Sequence, residues 1–122
     1  DNTMNQLIMK KILKTLSINN FQIASNGVEA IKLLENNTFD VILMDIQMPE
    51  MDGYETTTII RNDITMHSIK NIPIIAVTAD APDTARENVI AVGMNDYITK
   101  PVNRDLLYRK ILTHRKNELK IA

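Results

Sequence analysis

Three residues far apart in the chain each stand where a strand-like segment ends in a polar side chain. Val41-Ile42-Leu43-Met44 leads into Asp45, Ile74-Ile75-Ala76-Val77 into Thr78, and Tyr97-Ile98-Thr99 into Lys100. Brought together, a carboxylate, a hydroxyl and an ammonium suit an anion such as a phosphoryl group. The aspartate can act as nucleophile or metal ligand, the lysine as a fixed positive charge, and the threonine as a hydrogen-bond donor. Asp1 is a fourth candidate, because a second carboxylate beside Asp45 would complete an acidic site for Mg²⁺, which takes one or two carboxylates and keeps several waters. Taken singly, each residue has a plainer reading: Asp45 or Thr78 as a cap for a following loop or helix, Lys100 as a surface lysine. Their shared position at the carboxyl ends of strand-like segments favours a site.

The elements that must position them follow from periodicity. Between residues 4 and 16, Met4, Leu7, Ile8, Met9, Ile12, Leu13 and Leu16 fall at helical spacing, and Asn19-Asn20 offers a stop. Phe21-Gln22-Ile23-Ala24 alternates as a strand does. Asn26-Gly27 opens a loop into a second helix, carried by Val28, Ala30, Ile31 and Leu34 and ending near Asn36-Asn37. After the run ending at Asp45, a loop rich in Met, Pro, Asp and Gly extends from residue 47 to 53. A helix is then expected over residues 54–66, although Thr56-Thr57-Thr58-Ile59-Ile60 is a β-branched and weak helix former. Pro82 suits a first helical turn, and that helix should run to about Val92, before Gly93. A last helix is expected over residues 103–117.

Runs that are apolar throughout, rather than alternating, belong to strands buried on both faces, and their alternation with helices predicts a parallel sheet covered on each side. The expected order is αβαβαβαβα, a doubly wound α/β domain. In such sheets ligands bind outside the carboxyl ends of the strands, where Asp45, Thr78 and Lys100 would converge.

Composition bounds the rest. With 122 residues, 44% of them apolar and 24% charged, the chain reads as one compact domain. No apolar run approaches the roughly 18 residues of a transmembrane helix. The absence of cysteine excludes a disulfide scaffold and a thiol nucleophile. Three glycines, at positions 27, 53 and 93, are too scattered for a glycine-rich nucleotide loop. The net charge of −1 divides unevenly: residues 1–99 hold 7 basic and 13 acidic side chains, residues 100–122 hold 7 and 2. A solvated basic last helix accounts for that division, and no aromatic interleaving supports a nucleic-acid surface. The seven methionines read as core and loop filler, His67 and His114 as surface residues, and Asp52-Gly53 as turn chemistry before a helix.

On these residues the chain resembles a known family. Asp40-Val-Ile-Leu-Met-Asp45-Ile-Gln-Met-Pro-Glu-Met-Asp-Gly53 is similar to the phosphoacceptor segment of response-regulator receiver domains of two-component systems. Ile74-Ile-Ala-Val-Thr-Ala79 and Asp96-Tyr-Ile-Thr-Lys-Pro101 resemble the family's two later motifs, in the same order. Asp1-Asn2 with Asn5, and Asn26-Gly27-Val-Glu-Ala30, resemble the early ones. The wording Met-Asp-Ile-Gln-Met-Pro is most similar to receivers of hybrid histidine kinases.

The resemblance implies a flavodoxin-like fold with strand order 2-1-3-4-5, and roles position by position. Asp45 would accept a phosphoryl group from a phosphohistidine. Asp1, Asp45 and the backbone carbonyl of Gln47 would hold Mg²⁺. Thr78 would be the switch hydroxyl, Ala79 the small residue leaving it room, and Tyr97 the aromatic residue that moves with it. Lys100 would pair with Asp45 or its phosphoryl group, and the Lys100-Pro101 bond would be cis. The implied partner is a histidine kinase or histidine phosphotransfer domain, with no nucleic acid or membrane contact in this domain. The implied location is the cytoplasm, including the cytoplasmic part of a membrane-bound hybrid kinase. The implied chemistry is self-phosphorylation and autodephosphorylation rather than turnover of a substrate.

Two other readings stand beside this one: a receiver-like interaction domain that is not phosphorylated, and an unrelated flavodoxin-like enzyme or nucleotide binder. The family also begins with an apolar strand ending in two acids, whereas Asp1 matches the second acid. The expectation is therefore a receiver domain over residues 1–122, truncated at its N-terminus and lacking its first strand. Three consequences are open: direct pairing of the two flanking strands, a strand supplied by a second copy in a homodimer or strand swap, or a chain cut short.

Overall fold

The computed structural model describes residues 2–16, 18, 21–24, 26–37, 39–46, 51–62, 72–79 and 82–114. In chain order these form α1 (Asn2–Thr15), α2 (Gly27–Asn36), β1 (Ile42–Asp45), α3 (Gly53–Asn62), β2 (Ile74–Thr78), α4 (Pro82–Val92), β3 (Asp96–Thr99) and α5 (Arg104–His114). The three strands are parallel in the order β1-β2-β3, with Asp45 opposite Val77 and Thr78 opposite Thr99.

β2 explains the layering. All five of its residues are buried, and consecutive side chains point to opposite faces. Ile74 and Ala76 join one apolar cluster with Leu34 of α2, Ile60 of α3 and Val89 of α4. Ile75 and Val77 join a second cluster with Leu13 of α1 and Leu107 and Ile111 of α5. Helices thus cover both faces, which is the doubly wound arrangement that the apolar runs imply.

Helix boundaries have local chemical causes. The Asn26 side chain accepts from the Glu29 backbone N–H at 2.9 Å, and the Asn103 side chain from that of Leu106 at 3.0 Å, so each caps a helix start. At the end of α4, Gly93 takes φ +92°. Its N–H donates to Ile90 and that of Met94 to Val89, a pattern that needs a left-handed residue and so favours glycine. The β-branched run in α3 is helical because tertiary burial outweighs propensity: Thr56, Thr57 and Ile60 are 0% exposed. Residues 63–71 and 115–122, into which two of the expected helices extend, lie outside the described residues.

One expected element differs. Residues 21–24 carry the alternation of a strand, yet no ladder joins them to any strand among the described residues. Among the described residues β1 pairs with β2 alone, and residues 21–24 form no direct pairing with it. Alternation reports that one side of a segment can be buried, and Phe21 does pack on the second cluster. A strand also requires a neighbour to exchange backbone hydrogen bonds with, and residues 21–24 have none among those described.

Candidate functional site

Parallel strands that begin in register also end together, and this places three polar groups at one edge of the sheet. Asp45 is the last residue of β1 and Thr78 the last of β2, while Lys100 follows β3 directly. The ladder continues past the strands: the Ile46 N–H donates to the Val77 carbonyl at 3.1 Å, and that of Lys100 to the Thr78 carbonyl at 2.8 Å. The second bond fixes where the Lys100 side chain begins.

From there Lys100 Nζ reaches both carboxylate oxygens of Asp45, at 3.3 Å each. The two side chains are 22% and 25% exposed, so the pair is largely screened from solvent while the carboxylate stays reachable. Thr78 is 1% exposed, and Ala79 after it is exposed. The Lys100-Pro101 peptide bond is cis. Tyr97, three residues before Lys100, is partly buried and packs on the cluster formed by α2, α3 and α4. Asp1 and Gln47, two of the expected metal ligands, lie outside the described residues.

Gly53 lies close against the end of β1. The Gly53 N–H donates to the Ile46 carbonyl at 3.0 Å. A β-carbon at Gly53 would stand 2.7 Å from the Asp45 carbonyl oxygen and 2.9 Å from Ile46 Cα. Asp52 caps α3 by accepting from the Glu55 N–H at 2.8 Å. The turn chemistry read at Asp52-Gly53 therefore has a second purpose: only a residue without a β-carbon lets α3 begin directly against the backbone that carries Asp45.

Residues 1–112 match the family described as response regulator receiver domain. The chain belongs to that family. Among curated relatives, the receiver is 40% identical over 123 residues to hybrid signal transduction histidine kinase B of Dictyostelium discoideum, covering 93% of this chain and 6% of the relative. It is 41% identical over 112 residues to two-component system protein A of Emericella nidulans, covering 89% of this chain and 16% of the relative. The chain thus spans a small part of the curated relatives it matches. Among solved structures, the receiver domain of a Pseudomonas aeruginosa sensor histidine kinase, with magnesium coordinated in its active-site cleft, superimposes with TM-score 0.81 at 36% identity, over 93% of this chain and 90% of that one. The receiver domain of a Saccharomyces cerevisiae response regulator, crystallised with a histidine phosphotransfer protein, gives TM-score 0.82 at 31% identity, over 94% and 83%. This is a receiver domain of two-component signalling, with hybrid histidine kinases among its relatives.

A second polar group lies at the other end of β3, and the sequence reading missed it. Asp96 Oδ1 accepts from Lys110 Nζ at 2.7 Å and from the Tyr97 N–H at 2.8 Å, while Asp96 Oδ2 meets His114 Nε2 at 3.2 Å. His114 is therefore not the surface residue expected: its side chain is 22% exposed and turned to a carboxylate. Burial alone would raise the Asp96 pKa. The hydrogen bonds from Lys110, the Tyr97 N–H and His114 outweigh it and hold the carboxyl below its ordinary value. Lys110 and His114 sit at i and i+4, a spacing that puts both on one helix face. That much was readable, but nothing in the sequence pointed that face at Asp96.

Proposed function

We propose that the receiver accepts a phosphoryl group on Asp45 and reports it through Thr78 and Tyr97. The observation that carries this reading is the placement of the Lys100 ammonium 3.3 Å from both Asp45 oxygens. Phosphoryl transfer needs little covalent help from a protein beyond positioning and neutralisation of charge. In the reaction, a carboxylate oxygen of Asp45 attacks phosphorus, an O–P bond forms, and the N–P bond of a donor phosphohistidine breaks. The departing imidazole keeps the electron pair and takes a proton from water. Lys100 offsets the negative charge on the carboxylate before transfer and on the phosphoryl oxygens after it. Thr78 then donates its hydroxyl to a phosphoryl oxygen, and Tyr97 moves into the room this leaves, next to the small Ala79.

The donor chemistry at Asp45 fits magnesium. It is a partly exposed carboxylate oxygen, hard and reachable by water, and Mg²⁺ commonly takes one or two carboxylates while keeping waters. Asp45 would hold the ion together with Asp1 and the backbone carbonyl of Gln47. When bound, it supplies positive charge that draws the donor phosphate toward the carboxylate. The partner is a histidine kinase or histidine phosphotransfer protein, and the setting is the cytoplasm. No helix among the described residues is long and apolar enough to cross a membrane.

The test is incubation of the chain with Mg²⁺ and a small-molecule phosphodonor, read by intact mass. A single phosphoryl adduct that Asp45→Asn abolishes is expected. A folded chain that takes up no phosphoryl group would refute phosphoacceptance and leave a domain that signals by binding alone.

A further inference from the structure

Lys110 is tied to Tyr97 through a closed circuit. The Tyr97 N–H donates to Asp96 Oδ1, the same oxygen accepts from Lys110 Nζ, and Lys110 Nζ lies 5.6 Å from the centroid of the Tyr97 ring. That distance is within the range of a cation–π contact. The residue that locates the ammonium is therefore itself bonded to the backbone of the tyrosine beneath it. His114 engages the second oxygen of Asp96, which opposes rotation of the carboxylate. Lys110, Asp96 and His114 are each 22–23% exposed, so solvent only partly competes for these bonds.

An unrestrained lysine on a helix surface would follow a ring that moved, because its four-carbon stem is flexible. Here the bond to Asp96 opposes that movement of the ammonium. Rotation of Tyr97 away from its present place therefore gives up the contact. We propose that Lys110 is a positioning residue for Tyr97: anchored by Asp96, its ammonium holds the ring in the observed place and sets how readily Tyr97 leaves it. The inference rests on the reading of Tyr97 as the residue that moves on phosphorylation, and adds that α5 carries the restraint against which that movement works.

The experiment uses the whole chain with ring-labelled tyrosine, the Tyr97 signal being assigned with Tyr97→Phe. NMR spectra are recorded with and without phosphodonor and Mg²⁺, and phosphorylation is followed by intact mass. Lys110→Met keeps the apolar stem and removes the charge. It is expected to raise the ratio of displaced to resident Tyr97 by about two- to fivefold before any phosphodonor is added, the equivalent of an exposed cation–π contact. Asp96→Asn leaves the ammonium but loosens its anchor, and should shift Tyr97 in the same direction. Lys110→Arg should restore the wild-type ratio, which a merely disturbed helix would not do. The signals of Tyr54 and Tyr108 should stay in place throughout. Wild-type Tyr97 populations in both Lys110→Met and Asp96→Asn would overturn the proposal while leaving Tyr97 as the moving residue. A wild-type Tyr97 signal that ignores full phosphorylation of Asp45 would overturn the switch reading, and the restraint with it.

Discussion

Gly53→Ala is the substitution that best separates the support of the site from its chemistry. The added β-carbon would lie 2.7 Å from the Asp45 carbonyl oxygen, 2.9 Å from Ile46 Cα and 3.0 Å from Ile46 Cδ1. Two of these three obstacles are backbone, so no rotamer change relieves them. Either α3 retreats or the end of β1 gives way. The backbone just after β1 is bonded to β2 through the Ile46 N–H and the Val77 carbonyl, so each route strains a packed element. Overpacking of this kind costs about 1–3 kcal/mol. The helix-propensity gain of up to about 1 kcal/mol for replacing glycine is small here, because Gly53 is the first residue of α3. A net loss of about 1–2 kcal/mol follows, or roughly 3–8 °C in Tm for a domain of this size.

The more telling consequence is for Asp45, whose carbonyl is the atom struck. A displacement of a few tenths of an ångström there carries the carboxylate away from Lys100, and mispositioning of about 1 Å can cost around a hundredfold in rate. The initial rate of phosphoryl uptake from a small phosphodonor, measured at a temperature where the variant is fully folded, should fall at least several-fold. Gly27→Ala is the comparison. Its β-carbon would strike the side chains of Thr56 and Met51 rather than backbone, so stability should fall with phosphoryl uptake unchanged. A Gly53→Ala chain with wild-type urea midpoint and wild-type uptake would refute the argument that this glycine is there to let α3 approach Asp45.

Three further outcomes are expected. Thr78→Ala should take up the phosphoryl group to the wild-type level by intact mass yet show a weakened Tyr97 response by NMR; an undiminished response would remove Thr78 from the proposed switch. Asp96→Asn should lower stability by about 1 kcal/mol near neutral pH. Because the folded-state pKa of Asp96 is depressed, its contribution is fully present above the unfolded value of about 3.9 and is lost as pH falls through the folded value. Urea midpoints of the two chains should therefore converge at the acid end, and a gap that stays constant there would contradict the charge argument. Arg61→Met removes the donors to the Gly93 carbonyl and Asn95 Oδ1, both at 2.9 Å. It should cost about 1–3 kcal/mol by chemical denaturation, with phosphoryl uptake by the folded chain unchanged.

What was legible in the sequence was whatever depends on near neighbours or on a single burial pattern. The uninterrupted run from Ile74 to Val77 announced a strand covered on both faces, and β2 is buried at every position. Gly93 announced the end of α4, and its positive φ is the reason. The ends of three strand-like segments announced a common edge, where Lys100 meets Asp45 across 55 residues. Residues 21–24 misled because alternation is local while strand pairing is not. His114 misled for a related reason: its helix is basic, and the acid it faces stands 18 residues away at the start of β3. Thr56 and Thr57 argued locally against a helix, yet their burial in α3 prevails.

The two ion pairs acquire a joint meaning from their position on β3. The strand is four residues long. At its carboxyl end Lys100 is tied to Asp45 of β1, across the edge where charge would change on phosphorylation. At its amino end Asp96 is tied to Lys110 and His114 of α5. Tyr97 lies between these anchors, with its backbone bonded to one and its ring beneath the cation of that same anchor. A change at Asp45 alters the pull on Lys100, hence on the peptide that follows β3, while the Asp96 end stays fixed to a helix packed on the opposite apolar cluster. Strain placed on so short a segment has few bonds over which to spread, and Tyr97 is a partly buried residue within it. On this argument both substitutions that release one anchor, Lys100→Met at the carboxyl end and Asp96→Asn at the amino end, should loosen the same tyrosine, although the groups they remove act on opposite ends of the strand.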